Sequence, residues 1–264
     1  MIVDAYDTIL LDLDGVLYRG ADPVSGATQT VAGLRGLRKR IGFITNNSSR
    51  TPEAIAEHLT SLGIDARPEE VETSALATAE LLRSRSVASA FVIGGEGLRV
   101  ALRLAGVTPV DAPVDGGDDG RPGAVVVGID PSFTYAELAT GSWLVRDGVP
   151  FIASNADATY PAADGIVLPG AGAIVAALQT ATGISAEVVG KPNEPIFREA
   201  LRRAGGERPL VVGDRLDSDI EGARRLGWDS ALVLTGVSSE DDVRHTGIAP
   251  TYVVQRLGEL IAAD

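Results

Sequence analysis

The sequence predicts an α/β fold built on a parallel sheet, and three observations predict it. Short unbroken apolar runs such as Thr8-Ile9-Leu10-Leu11, Ile41-Gly42-Phe43-Ile44 and Pro209-Leu210-Val211-Val212 have the length of strands buried on both faces. Each stops abruptly at polar residues and is followed by a helix or a helix-bearing excursion, the alternation that implies parallel pairing. Four such strands end in chemistry-bearing groups: Asp12 with Asp14, Thr45 with Asn46, Lys191, and Asp214 with Asp219. Parallel strands place their carboxyl ends on one edge, where open α/β sheets bind ligands, so the four fragments converge.

The bulk numbers narrow the function. With 264 residues, one or two domains are expected. An apolar content of 45% is ordinary for a soluble globular protein. The net charge of −13 argues against nucleic acid as a partner, though not against a phosphorylated one, because acidic residues can be ligands for a local cation. There is no cysteine, which excludes disulfides, thiolate zinc sites and a cysteine nucleophile. Asp4 and Asp7 stand where a secretory signal would carry basic residues, and no apolar run approaches the ~18 residues of a membrane span. The expectation is a cytoplasmic protein with no membrane partner.

Taken in order, the chain opens on Tyr6–Gly20. If the first strand continues through Asp14, both aspartates point to one side while Leu13 points to the other, and Gly15 then turns the chain away. Alone, this pattern also fits a strand end with two solvated acids. A calcium loop is a poor fit because the position that needs another Asp or Asn is Val16. A helix over about 25–40 follows, with Val31, Leu34 and Leu37 on its apolar side and Lys39 and Arg40 at its end, where the helix dipole favours positive charge. After the strand at 41–44 come Thr45-Asn46-Asn47-Ser48-Ser49. Small hydroxyl and amide side chains beside exposed N–H groups make an anion cradle, although a loop with a helix cap reads the same way. Thr51 and Pro52 start the next helix, Gly63 ends it, and a further helix is expected over about 69–83.

A second α/β unit is placed at about 76–185. It has strands at 91–93, 124–129 and 150–153, helices at 97–105, 135–146 and 170–182, and an Asp-, Gly- and Pro-rich loop at 109–122. Then Val188-Val189-Gly190-Lys191-Pro192 presents a lysine at a strand end, a mobile point charge for phosphate or carboxylate. A helix over 193–204 and the strand at 209–213 lead to Asp214. Asp217 fits the cap of the following helix, and Asp219 fits its first turn. The chain closes with a strand at 231–234, a turn at Thr235-Gly236, a short helix, a strand at 252–254 and a final helix.

The convergent set has a chemical meaning. Three or four carboxylates favour a hard cation, and oxygen ligands suit Mg²⁺. A metal, a lysine and a hydroxyl-rich loop together suit a phosphate dianion. Asp12 is left to attack phosphorus and form an aspartyl phosphate, with catalysis resting on positioning and charge neutralisation.

The motifs DLDGVLYRG, TNNSS, GKP and GDRLDSDI, in this order and spanning nearly the whole chain, resemble those of the haloacid dehalogenase (HAD) superfamily of phosphatases. Only about thirty residues separate Asp14 from Thr45, too few for a domain. The long excursion lies between Thr45 and Lys191 and would carry the cap. That arrangement is similar to the subclass with a type-2 α/β cap, the NagD-like, p-nitrophenyl phosphate, pyridoxal phosphate, phosphoglycolate and glycerol phosphate phosphatases; VVVGIDPSFTY and DGIVLPGAG are similar to that group as well.

The resemblance implies a Rossmann-like core over 1–75 and 186–264, with a cap over 76–185 inserted between the second and third motifs. It implies Asp12 as nucleophile and Mg²⁺ ligand, and Asp14 as general acid and base with its main-chain carbonyl on the metal. Thr45 and Asn46, with Asn47 beside them, would bind the phosphoryl group. Lys191 would neutralise charge, Asp214 would ligate Mg²⁺ and Asp219 would orient metal-bound water. Asp14 argues for phosphate chemistry, since dehalogenases of the superfamily lack that second aspartate.

Substrate choice is expected from the cap segment Asn155–Pro161, where Tyr160 either stacks on an aromatic substrate or packs the cap. The resemblance also allows a homodimer through the cap, which the apolar strand at 124–129 permits. The expected activity is Mg²⁺-dependent hydrolysis of small phosphate monoesters. A non-catalytic phosphometabolite-binding protein and a phosphotransferase are the alternatives.

Overall fold

The computed structural model describes residues 1–111, 121–161 and 166–262, so residues 112–120 of the expected 109–122 loop and Asp164-Gly165 of the DGIVLPGAG segment lie outside the described residues. Two compact units result. One comprises Met1–Thr45, Pro52–Glu72 and Lys191–Asp264; the other comprises Asn46–Thr51 and Thr73–Gly190.

In chain order, the first unit begins with β1 (Thr8–Asp12), a two-strand hairpin of β2 (Tyr18–Arg19) and β3 (Asp22–Pro23), α1 (Ala27–Gly36), β4 (Arg40–Thr45), α2 (Pro52–Ser61) and β5 (Val71–Thr73). The second unit adds α3 (Ser74–Ser84), β6 (Ser89–Ile93), α4 (Glu96–Leu104), β7 (Thr108–Val110), β8 (Ala124–Val127), α5 (Tyr135–Arg146) and β9 (Phe151–Ala153). It continues with a hairpin of β10 (Thr159–Pro161) and β11 (Val167–Pro169), then α6 (Ala171–Thr182) and β12 (Glu187–Val188). The chain returns to the first unit through α7 (Glu194–Ala204), β13 (Pro209–Gly213), a π-helical turn over Leu216–Ile220, α8 (Glu221–Leu226), β14 (Asp229–Val233), α9 (Glu240–Thr246) and β15 (Tyr252–Val254).

The first sheet has the order β15-β14-β13-β1-β4-β5. β1 pairs in parallel with β4 on one side and β13 on the other, and all five of its residues are buried, as its apolar run requires. From β1 the chain winds outward through β4 and β5, then returns to β13 and winds the other way. The order therefore reverses between β1 and β13. Loops leaving a sheet in opposite directions open a crevice at that point, beyond the carboxyl ends of the strands. Asp12 closes β1 and Asp214 follows β13, so the fold sets both carboxylates at the crevice. The core beneath holds Ile9, Leu11, Phe43, Leu210, Val212 and Val233, all fully buried.

The second sheet has the order β12-β9-β8-β6-β7, again with parallel pairings, and reverses between β6 and β8. Its core centres on Phe91, Ile93, Val125, Val127, Leu144 and Leu178.

Several expectations are corrected. The segment expected as one helix over 69–83 is a turn, then β5, then α3. Val71-Glu72-Thr73 is too short to show a period, and the side chain of Thr73 accepts the N–H of Leu76 to cap the helix. Pro109 and Val110, the start of the expected loop over 109–122, belong to strand β7 beside β6. The apolar strand in 124–129, which permits a dimer in the sequence reading, is interior. β8 pairs with β6 and β9, so neither edge is available. Asp217 does not cap a helix; it pairs with Arg215 at 2.9 Å on the surface. Helix α1 is shorter than expected, because Gly26 enters it from a left-handed conformation, and Leu37 beyond its end is exposed.

Candidate active site

The strand β1 ends at Asp12, not Asp14. Leu13 turns into the core, and its carbonyl accepts the N–H groups of Leu17 and Tyr18, while the Gly15 N–H donates to the Tyr18 carbonyl at 2.8 Å. Gly15 takes φ +81°, a conformation that costs glycine little. The turn leaves the Asp14 side chain exposed, with the Tyr18 hydroxyl donating to its Oδ2 at 3.4 Å. Asp12, by contrast, is buried.

Lys191 opens the return of the chain to the first unit and is buried with Asp12. Its Nζ lies 2.6 Å from Asp12 Oδ1 and 2.6 Å from Asp219 Oδ1. Asp219 is fully buried on the π-helical turn after β13. It can lie across the end of that strand because residue 213 is glycine: a Cβ there would stand 2.2 Å from the Cβ of Asp219. Among the described residues, one ligand atom each from Asp12, Asp214 and Asp219 lie within 4.8 Å of one another.

Charge is crowded here. Burial pulls the Lys191 pKa down, but Asp12 and Asp219 raise it further, so the ammonium keeps its proton. Burial pushes the Asp12 carboxyl up, Lys191 pulls it down, and Asp219 and Asp214 push it up again; the net direction is upward. Asp214 is pushed up to about 6, by burial first and Asp219 next. Three carboxylates against one ammonium leave an excess negative charge that a divalent cation would offset.

The donors fit such an ion. All are hard oxygens, as Mg²⁺ prefers. Asp214 Oδ1 is buried without a hydrogen-bond partner among the described residues, a costly state unless something electropositive faces it. Asp12 and Asp214 were expected in this set; the Asp219 carboxylate was expected only at its margin and lies inside it. The carboxylate of Asp14 is not part of the cluster.

Thr45 ends β4 beside β1, where Asp12 pairs with Ile44. The next residues, Asn46–Thr51, belong to the second unit and sit at the reversal point of its sheet. The Gly97 N–H donates to the Ser49 carbonyl at 3.1 Å. A Cβ at Gly97 would lie 2.6 Å from Ser49 main-chain atoms, and one at Gly128 would lie 2.9 Å from Ser48 Oγ. The Asn46 carbonyl accepts Ser74 Oγ at 2.7 Å and Asn155 Nδ2 at 2.8 Å, while Asn46 Nδ2 donates to Asp157 Oδ1 at 3.0 Å. Asn47 Oδ1 accepts the N–H groups of Ser49 and Arg50, so it organises its own loop. Tyr160 stands on the β10–β11 hairpin of the second unit, opposite Leu168.

The sequence does not single out Ser74, and it gives Asn155 and Asp157 no role apart from their segment. The signal was the polar pair Ser154-Asn155 at the end of a buried strand, the same pattern that marks Asp12 and Asp214.

Comparison with known proteins bears on this geometry. A family model described as haloacid dehalogenase-like hydrolase matches residues 9–108, and a HAD-hydrolase-like model matches residues 188–260. An acid sugar phosphatase of Staphylococcus aureus is 41% identical over 261 residues, covering 97% of both chains. The chain belongs to the haloacid dehalogenase-like hydrolases. Among solved structures, the glycerol phosphate phosphatase of Mycobacterium tuberculosis in complex with magnesium is 40% identical at a TM-score of 0.89, covering 98% of this chain and 77% of that one. NagD of E. coli is 30% identical at a TM-score of 0.88, covering 97% and 98%. The fold is thus the HAD fold in its NagD-like form, and the acidic cluster at the β1–β13 crevice is set in a hydrolase of that family.

Proposed function

We propose that this chain is a Mg²⁺-dependent phosphatase of small phosphate monoesters, with phosphorylated sugars and polyols such as glycerol 3-phosphate favoured. p-Nitrophenyl phosphate, phosphoglycolate and pyridoxal phosphate belong to the same substrate class. One observation carries the reading. Asp12, at the carboxyl end of β1, is held by Lys191 at 2.6 Å inside a buried acidic cluster. The likeness to a sugar phosphatase and a glycerol phosphate phosphatase supports the choice of substrate.

In this reading Asp12 attacks phosphorus. Its carboxylate forms a bond to phosphorus as the bond to the ester oxygen breaks. Asp14, on the exposed turn, gives a proton to the departing alcohol. Asp14 then takes a proton from the water that attacks the aspartyl phosphate, which releases inorganic phosphate and restores Asp12. Lys191 fixes the Asp12 carboxylate and offsets phosphoryl charge; Thr45, Asn46 and Asn47 bind phosphoryl oxygens. Asp12, Asp214 and the Asp14 carbonyl would hold Mg²⁺, with Asp219 beside them. When bound, the ion supplies charge neutralisation for the phosphoryl group.

We read 1–75 with 186–264 as the catalytic core and 76–185 as the cap, with Tyr160 as a substrate contact. The exposed Tyr135 and Trp143 of α5 support a homodimer through the second unit, which light scattering would test.

The deciding experiment measures phosphate release from a panel of these esters, with Mg²⁺ or with EDTA. Turnover that requires Mg²⁺, best with a sugar or polyol phosphate, is expected. An inert enzyme that still binds phosphorylated ligands would replace this reading with a binding protein.

A further inference from the structure

The end of β14 is the neighbour of the β13 end, and the loop that leaves it, Thr235-Gly236-Val237-Ser238, is built around Asp214. The Val237 N–H donates to Asp214 Oδ2 at 2.7 Å, and the Ser238 N–H donates to the Asp214 main-chain carbonyl at 3.0 Å. Ser238 Oγ accepts the Leu216 N–H at 3.1 Å, tying the loop to the π-helical turn that carries Asp219. The Thr235 hydroxyl donates to the Gly15 carbonyl at 2.7 Å, tying it to the turn after Asp12. Val237 is 69% exposed, so the residue contributes its main chain and not core packing.

Two glycines close the grip. A Cβ at Gly236 would stand 1.8 Å from Asp214 Oδ2 and 2.2 Å from Asp214 Cβ. Gly236 lies outside the left-handed region, so its φ does not call for glycine, and the nearest atoms that a Cβ would meet all belong to the Asp214 side chain. From the other side, a Cβ at Gly15 would stand 2.3 Å from the same Oδ2. The φ of +81° at Gly15 already calls for glycine, but a turn alone would need neither the Val237 amide aimed at a carboxylate nor a glycine at 236.

We propose that the Thr235–Ser238 loop is a positioning device for the divalent cation: it engages Asp214 Oδ2, fixes the rotation of the carboxylate, and leaves the buried, unpartnered Oδ1 as the single ligand atom. This rests on the reading of Asp12, Asp214 and Asp219 as a metal site. It makes Gly236, Val237 and Thr235 positioning residues that touch no substrate. Such supports orient a ligand before the ion arrives, so their loss appears in metal affinity.

The test is Mn²⁺ binding to the full chain without substrate, followed by the free-ion electron paramagnetic resonance signal. Wild type, Asp214→Asn, Gly236→Ala and Thr235→Val are compared, and circular dichroism checks folding. Asp214→Asn is expected to lose the site. Gly236→Ala is expected to weaken Mn²⁺ affinity by roughly 10- to 100-fold, and Thr235→Val by roughly fivefold, the weight of one hydrogen bond. If Asp214→Asn binds as wild type does, the metal reading itself fails. If Asp214→Asn loses Mn²⁺ while the folded loop variants keep wild-type affinity, the loop has no such role and the metal site stands. Should Gly236→Ala not fold, Thr235→Val decides.

Discussion

The side-chain amide of Asn155 donates to the main-chain carbonyl of Asn46 at 2.8 Å, joining residues 109 positions apart. Asn46 directly follows Thr45, at the point where the chain leaves the sheet that carries Asp12. Its carbonyl has a second donor in Ser74, and its side chain is held by Asp157. The proposed phosphate loop is therefore shaped by residues of the second unit. Asn155→Ala removes that buried hydrogen bond, together with the longer contacts of its Nδ2 to Ser154 Oγ at 3.5 Å and of the Asp157 N–H to its Oδ1 at 3.2 Å. The inhibition constant for inorganic phosphate and the KM are expected to rise roughly fivefold, with kcat changing less, because binding and not chemistry is affected. Equal loss in kcat with no change in KM would contradict the role.

Lys191 is the counter-charge of the cluster. Lys191→Met leaves Asp12, Asp214 and Asp219 buried without it, and removing one partner of a buried ion pair costs about 3–5 kcal/mol. In EDTA, urea unfolding of the variant is expected to show a loss of that order. Lys191→Arg is not expected to restore activity, since a planar fork cannot replace an ammonium that touches two carboxylates at 2.6 Å. Wild-type stability of Lys191→Met in EDTA would mean that the carboxylates carry no such charge.

Glu72 gives the fold a pH dependence. It is buried, Arg203 Nε donates to its Oε2 at 2.8 Å, and its Oε1 has no partner among the described residues. Burial pushes its pKa from 4.5 up to about 7, against the pull of Arg203. The folded state therefore holds a proton that the unfolded state releases near the ordinary carboxylate value. The resulting stabilisation is present below pH 4.5 and disappears as pH rises through about 7. The difference is about 3 kcal/mol. Denaturation of wild type and Glu72→Gln at pH 5 and pH 8 checks this: only wild type should lose that increment at the higher pH. Parallel pH slopes in the two proteins would show that Glu72 does not titrate in this range.

Much of the site was legible because buried parallel strands write an unmistakable signal. An apolar run that stops at Asp12, Thr45 or Asp214 marks a carboxyl end, and alternation with helices marks the shared edge; the strand before Lys191, expected on that same edge, is instead β12 of the second sheet. The unread parts have physical reasons. β5 and β7 have three residues each, too few for any period. Asp217 has the residue type and position of a helix cap, but Arg215 holds it on the surface. Asp219 looked like an ordinary first-turn acid; its burial depends on the missing side chain of Gly213, a contact that spacing does not reveal. The grip of Gly236 on Asp214 is hidden for the same reason, since Thr235-Gly236 in sequence fits a plain turn.

The central claim is that Asp12 is the nucleophile, and trapping its phosphoryl ester tests it most directly. Enzyme mixed with a radiolabelled phosphate monoester and Mg²⁺ is quenched in acid within one turnover, digested and sequenced. The account predicts label on the peptide containing Asp12, release of that label by hydroxylamine as for an acyl phosphate, and neither label nor turnover in Asp12→Asn. Turnover by Asp12→Asn, or label carried by another residue, would contradict it.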